Sequence, residues 1–115
     1  MEHRQTVEQM AFDFAPLRVP EDAGETIEER FRAFHRANPH VYVQLRKLAL
    51  NYRRQGRQRG GMKMLFEVLR YQSGIRTRGE PYKLNNDFTA LYARMLMARE
   101  PELAGFFETR ERTAE

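Results

Sequence analysis

The 115-residue sequence contains no cysteine and no tryptophan. The absence of cysteine excludes disulfide bonds, thiol catalysis and zinc sites built on thiolates, and it fits a reducing compartment. No uncharged apolar run is long enough to span a bilayer, and the first ten residues, MEHRQTVEQM, lack the apolar stretch of a secretory signal. We therefore expect one intracellular domain without membrane contact, stabilised by the packing of its core.

Acidic residues are missing from a long central stretch, since no Asp or Glu occurs from Arg36 to Phe66. Between Arg30 and Lys83, fourteen Lys and Arg residues stand against two acids, a net charge of +12. Residues 1–29 carry −6 and residues 84–115 carry −2, so the overall charge of +4 hides a dipolar chain. The central cations have no carboxylates close by in the sequence, and a surface of this kind usually faces a polyanion.

Capping residues and apolar spacing predict four helices. Thr26 and Glu29 form a capping box at the start of the first helix, and the Asn38-Pro39 pair ends that helix and begins the second. Gly56 is placed to end the second helix. The third is predicted from about Gly61 or Met62 to Gln72, ending at Ser73-Gly74, and the fourth from Asn85 or Asn86 to Glu100-Pro101.

The predicted fold is mainly α, a compact four-helix domain over residues 25–108 that is helix-turn-helix or winged-helix-like. Residues 75–84, IRTRGEPYKL, form either a short β-hairpin or only a basic loop, and Pro81 weakens the hairpin interpretation. Residues 1–24 are predicted to be a flexible acidic arm, although its MAFDF stretch could dock on the body as a short helix or strand. Residues 109–115 are a charged tail.

A helix-turn-helix arrangement predicts which cations contact nucleic acid. The Gly-rich GRQRGG turn would hold phosphates, the third helix would lie near base edges with Glu67 among its outward residues, and the basic loop would act as a wing. The predicted nucleic-acid-binding residues are Arg53, Arg54, Arg57, Arg59, Lys63, Arg70, Tyr71, Arg76, Arg78 and Lys83. The turn is longer than that of a strict helix-turn-helix motif, and a merely solvated basic surface remains the alternative.

Catalytic and metal sites are not indicated. His35 and His40 lie five residues apart across a proline, a spacing that does not place both rings on one helical face, and no nearby cysteine or carboxylate completes a metal site. Glu67 and Glu80 are the only acids in the basic segment, and no phosphate-binding loop motif occurs. We therefore expect no enzymatic activity, no metal and no cofactor.

Four ordered stretches, FHRANPHVY, MLFEVLRYQ, YKLNNDFTALYARMLM and EPELAGFFETRE, resemble an uncharacterised family of small proteins of bacteriophages and prophages. The resemblance covers residues 31–111 and implies an accessory phage protein in the cytoplasm of a bacterial host. Two functions are compatible with that setting. The first is a nucleic-acid-binding regulator or accessory factor, with DNA preferred over RNA. The second is an inhibitor or modulator that binds a host protein through the acidic arm. Either could be a monomer or a homodimer.

Overall fold

The computed structural model of the chain describes residues 7, 10–22, 24–77 and 83–108. Within these residues the fold is mainly α, which confirms the predicted four-helix domain. The four α-helices are α1 (Ile27–Ala37), α2 (Pro39–Arg54), α3 (Met62–Thr77) and α4 (Thr89–Arg99). Short 3-10 turns at Asn86–Phe88 and Pro101–Leu103 flank α4. No helix in the described ranges is long and apolar enough to cross a membrane.

The local signals for helix ends at α1 and α2 are confirmed. The Glu29 amide donates to the Thr26 hydroxyl over 3.1 Å, and the Thr26 amide donates to the Glu29 carboxylate over 3.2 Å, which completes the capping box. The Thr26 hydroxyl also donates to the Glu29 carboxylate over 2.9 Å, and this bond, together with that from the Thr26 amide, lowers the pKa of Glu29. Asn38 separates α1 from α2, with Pro39 in the first turn of α2. Gly56 follows α2 with a φ of 100°, a conformation that favours glycine.

The predicted end of the third helix is wrong, because α3 continues through Ser73-Gly74 to Thr77. Gln72 and Ser73 are buried, 5% and 2% exposed, so packing of this turn against the core compensates for the weak helix propensity of glycine, a cost of about 1 kcal/mol. The hairpin prediction for 75–84 is therefore wrong at residues 75–77. Residues 78–82 lie outside the described part of the chain, and residues 83–85 have no regular secondary structure.

The core lies between the helices and is closed by the segment after α4. Tyr92 on α4 is fully buried, and its ring meets that of Phe31 on α1 edge to face at 4.7 Å. Helices α2 and α3 contribute most of the aliphatic side chains. The fully buried large apolar residues are Val41, Leu45, Leu48, Leu65, Phe66, Leu69, Tyr92, Leu96, Leu103 and Phe106. Leu103 and Phe106 thus make the segment after α4, which we call the C-terminal segment, part of the core.

The segment before α1 lies against the helices, in the docked arrangement that the sequence left open. Residues 11–20 form neither helix nor strand, and Met10 is 5% exposed while Phe12 and Phe14 are half-buried against the core. The Lys47 ammonium donates to the Ala11 carbonyl over 2.9 Å. The apolar side chains of MAFDF are therefore used within the chain itself. The flexibility of residues 1–24 stays a prediction.

Candidate nucleic-acid interface

The turn between α2 and α3, residues 55–61, is anchored at both ends. At its start the Arg57 amide donates to the Tyr52 carbonyl over 3.1 Å. At its end the Gly60 amide donates to the Phe106 carbonyl over 3.0 Å, and Gly60 forms an isolated parallel bridge with Phe107. A Cβ atom at Gly60 would lie 2.5 Å from a ring carbon of Phe106, so this position requires glycine. The turn is thus held in one place by the C-terminal segment.

Three exposed cations, Arg57, Arg59 and Lys63, lie on this turn and on the first turn of α3. The Arg57 guanidinium lies over the Tyr52 ring, 5.0 Å from its centroid. Tyr52 itself is half-buried, so its ring serves as a support for the arginine. None of the three cations forms an ion pair with any residue that the structure describes. Their charges are available to an external anion.

The start of α3 adds partial positive charge to the same place. Its first turn has no acidic residue, and the preceding Gly61 has no side chain that could cap it. The first backbone N–H groups of a helix lack intrahelical acceptors and lie at the positive end of the helix dipole, an arrangement that favours phosphate. A shallow groove beside this turn is lined by Lys63 and Thr89, but also by Glu108, whose carboxylate disfavours an anion inside the groove.

Other cations of the basic segment form hydrogen bonds or ion pairs within the chain. Both Nε and Nη2 of Arg54 donate to the Glu102 carboxylate, over 3.0 and 2.7 Å, and Arg53 Nε donates to the Glu102 carbonyl over 3.3 Å. The Arg54 guanidinium lowers the pKa of Glu102. Arg46 pairs with Glu100 over 3.0 Å, and this hydrogen bond raises the pKa of Arg46. No carboxylate lies near Arg46 or Arg54 in the sequence, but the C-terminal segment brings Glu100 and Glu102 to them.

Arg70 also has a structural role. Its guanidinium pairs with Glu67, and it donates to the Leu84 carbonyl over 2.6 Å and to the Asn86 side chain over 3.0 Å. Its side chain is only 21% exposed. These bonds tie α3 to the segment that leads into α4, so the N–H groups of Arg70 are occupied within the fold.

The remaining predicted residues are spread along α3 and beyond it. Tyr71 is 68% exposed on the outward face of α3, and Lys83 is exposed before α4. Arg76 lies on α3, but its side chain is outside what the structure describes, as is the whole of Arg78. Of the predicted residues, Arg53, Arg57, Arg59 and Lys63 therefore lie on the turn between α2 and α3 or on the helix ends beside it.

The sequence analysis did not predict that the outward face of α3 is apolar. The predicted base-reading side chains were polar, yet the exposed centre of this face is formed by Met64, Val68, Tyr71 and Ile75. Their spacing of four, three and four residues was visible in the sequence. It was overlooked because the helix has a second apolar stripe that packs into the core.

No group of three or more potential ligands that could hold a metal ion occurs in the described residues. His35 packs among Phe31, Tyr42 and Tyr92, with ring centroids 5.7 to 6.3 Å apart. Burial lowers its pKa, and the nearby positive charge of Arg99 lowers it further. His35 is thus a half-buried histidine in contact with aromatic rings.

Comparisons of the chain with protein-family models, characterised proteins and solved structures give no match. The resemblance to small phage proteins therefore stays a prediction.

Proposed function

We propose that the protein binds nucleic acid, DNA in preference to RNA, through phosphate contacts made by the turn at residues 55–61 and the start of α3. The observation that carries this proposal is the cluster of Arg57, Arg59 and Lys63, exposed and without ion pairs in the described residues, beside the N-terminus of α3, whose first turn has no acidic residue. Arg53 adds a fourth exposed cation at the end of α2. Arg54 and Arg70 are left out of this set because their charges are paired with the carboxylates of Glu102 and Glu67, whereas Arg53 donates to a backbone carbonyl.

The proposed binding is tolerant of sequence. Base-edge recognition needs polar side chains on the exposed centre of a helix, whereas the centre of the α3 face is apolar. Contacts to phosphates alone give affinity and fix position without reading bases. A regulator that selects one operator is therefore a weaker proposal than an accessory factor that coats or holds DNA, a role compatible with the resemblance to phage proteins.

The proposal is tested by fluorescence anisotropy with labelled duplex and single-stranded DNA and RNA over a series of salt concentrations. Four phosphate contacts predict that log K falls with log[salt] with a slope of roughly −3.6 on duplex DNA. The double variant Arg57→Glu, Arg59→Glu should lose most of the affinity and about two units of this slope. Absence of any binding at low salt would rule out the proposal.

A matched control distinguishes binding by the cations of the turn from binding by the overall positive charge. The double variant Arg32→Glu, Arg36→Glu changes two exposed arginines of α1 and alters the net charge by the same amount. The proposal requires this control to bind nearly as well as the original protein. An equal loss in both double variants would show that general charge, not the turn at 55–61, governs binding.

The alternative function, modulation of a host protein through the acidic arm, has less support. Its contact segment MAFDF places Met10 in the core and half-buries Phe12 and Phe14. Binding of a partner by these side chains would first require them to leave the core.

A further inference from the structure

Helix α3 is apolar on two opposite faces. Its inner face buries Leu65, Phe66 and Leu69 completely. Its outer face exposes Met64 by 36%, Tyr71 by 68% and Ile75 by 54%, with the half-buried Val68 between them. We call Met64, Val68, Tyr71 and Ile75 the outer stripe. A helix that is apolar all round is usually covered on both sides, so the outer stripe is a candidate interaction surface.

The rest of the chain offers little to cover this stripe. The residues outside the described ranges are MEHRQT, EQ, Ala23, RGEPY and TRERTAE, which are mainly polar and charged. Their only large apolar residues are Met1 and Tyr82. Four apolar side chains spread over three helical turns need a longer apolar partner than any of these segments supplies.

We propose that the outer stripe is the contact between two copies of this chain, packed with their α3 helices antiparallel about a two-fold axis. The order of spacings, four, three and four, is the same in both directions. A two-fold axis at the midpoint of the stripe therefore places Met64 opposite Ile75 of the second copy, and Val68 opposite Tyr71. Each pair sets a smaller or flexible side chain against a larger one, as interdigitating helices require.

The charges beside the stripe fit the same arrangement. Glu67, whose side chain is 70% exposed, lies beside the stripe and pairs with Arg70 one turn further along the helix. With a rise of about 1.5 Å per residue, the two-fold axis places Glu67 only about 3 Å along the helix direction from Arg70 of the second copy. The two Glu67 carboxylates are about 7.5 Å apart along the same direction. Because each Glu67 is already paired with Arg70 of its own copy, no unbalanced charge accumulates beside the axis.

The size of the surface sets the expected strength. A standard stable interface buries roughly 800 Å² on each partner. Four partly exposed side chains on one helix provide only part of that area, so the proposed dimer is in concentration-dependent equilibrium with the monomer. The proposal is independent of nucleic-acid binding, which we assign to the turn at 55–61.

Sedimentation velocity over a range of protein concentrations, without nucleic acid, tests the dimer. The original chain should shift from monomer to dimer as concentration rises. Tyr71→Glu should raise the dissociation constant of the dimer at least about tenfold, because it buries a carboxylate in the contact. Val43→Glu is the matched control, since Val43 is a 44% exposed apolar residue of α2 outside the stripe. Its dimerisation should not change.

The lack of native cysteine allows the orientation to be tested by disulfide cross-linking. A mixture of the Met64→Cys and Ile75→Cys variants should form mixed disulfides. Either variant alone should not, because its two sulfur-bearing positions are about 16 Å apart along the helix direction, beyond disulfide reach. Cross-linking of Met64→Cys to itself would overturn the antiparallel arrangement.

Two further outcomes would overturn the proposal. A chain that stays monomeric at every concentration would leave the stripe without a second copy. A dimer that persists in Tyr71→Glu, with folding verified by circular dichroism, would place the contact elsewhere. Ile75→Asp, at a 54% exposed position, provides a second variant if Tyr71→Glu does not fold.

Discussion

Replacement of Asn38 by alanine should destabilise the protein strongly and release the N-terminal segment. Asn38 is completely buried between α1 and α2. Its side-chain oxygen accepts from the Arg18 amide over 2.6 Å, and its side-chain nitrogen donates to the Arg18 carbonyl over 2.8 Å and to the Phe34 carbonyl over 3.1 Å. One carboxamide therefore joins the N-terminal segment to the junction of two helices.

The expected magnitude follows from these three hydrogen bonds. A typical hydrogen bond contributes a net 0.5–1.5 kcal/mol, so their removal costs about 2–4 kcal/mol. The partner groups on the Arg18 and Phe34 backbones are partly buried, so water restores these bonds incompletely. For a domain of this size each kcal/mol lowers the melting temperature by about 4 °C, so Asn38→Ala should melt roughly 8–16 °C lower.

Urea unfolding and limited trypsin digestion measure the two consequences. The matched control is Asn85→Ala, since the exposed Asn85 accepts a single capping hydrogen bond from the Asp87 amide over 2.9 Å. This control should lose only about 1 kcal/mol. Trypsin should cut after the exposed Arg18 faster in Asn38→Ala than in the original chain, whereas Asn85→Ala should leave that rate unchanged.

Two results would refute this reasoning. If Asn38→Ala were no less stable than Asn85→Ala, the buried carboxamide would not hold the junction. If Arg18 were cut equally fast in the original chain and in Asn38→Ala, the segment would already be undocked in solution, as the flexible-arm prediction from the sequence has it.

Three further substitutions test the core and the turn. Gly60→Ala should lower the melting temperature, since the added Cβ lies 2.5 Å from the Phe106 ring, and unchanged stability would show that the turn adjusts freely. Burial lowers the pKa of His35 in the folded state, so the unfolded chain binds a proton first as the pH falls. The melting temperature should therefore drop below pH 6.5, the ordinary pKa of histidine, and it should drop less in His35→Gln. Equal dependence of the melting temperature on pH in the two proteins would contradict this. Tyr92→Phe should leave the melting temperature unchanged or raise it, because the buried Tyr92 hydroxyl has no hydrogen-bond partner among the described residues. A decrease of about 1 kcal/mol in the free energy of unfolding would instead indicate a bound water.

Several helix ends could be predicted because their signals are local, although the predicted start of the fourth helix is wrong: Asn85 caps the 3-10 turn at Asn86–Phe88, and α4 begins only at Thr89. Thr26 and Glu29 cap α1 through contacts three residues apart, and Pro39 and Gly56 act through their own backbone restrictions. The end of α3 could not be predicted in this way. The continuation through Gly74 depends on the burial of neighbouring side chains against other helices, a tertiary effect that local propensity does not contain.

The candidate site was only partly predictable for a similar reason. The sequence correctly indicated a cationic turn with Arg57 and Arg59, because the glycines around them require an exposed connection. It did not indicate which cations are neutralised. Arg54 and its partner Glu102 are 48 residues apart in sequence, and only the return of the C-terminal segment along α2 brings them together.

The acid-free central segment is therefore not one uniform binding surface. Arg46 and Arg54 pair with Glu100 and Glu102 and so stabilise the attachment of the C-terminal segment, although exposed ion pairs contribute only about 0–1 kcal/mol each. Cations that the same segment does not neutralise, Arg57 and Arg59, are instead held in place by it, since the turn that carries them is anchored through Gly60 to Phe106. The C-terminal segment thus determines both which positive charges remain free and where they are displayed. A change in the docking of that segment would alter the charge and the position of the proposed phosphate site together.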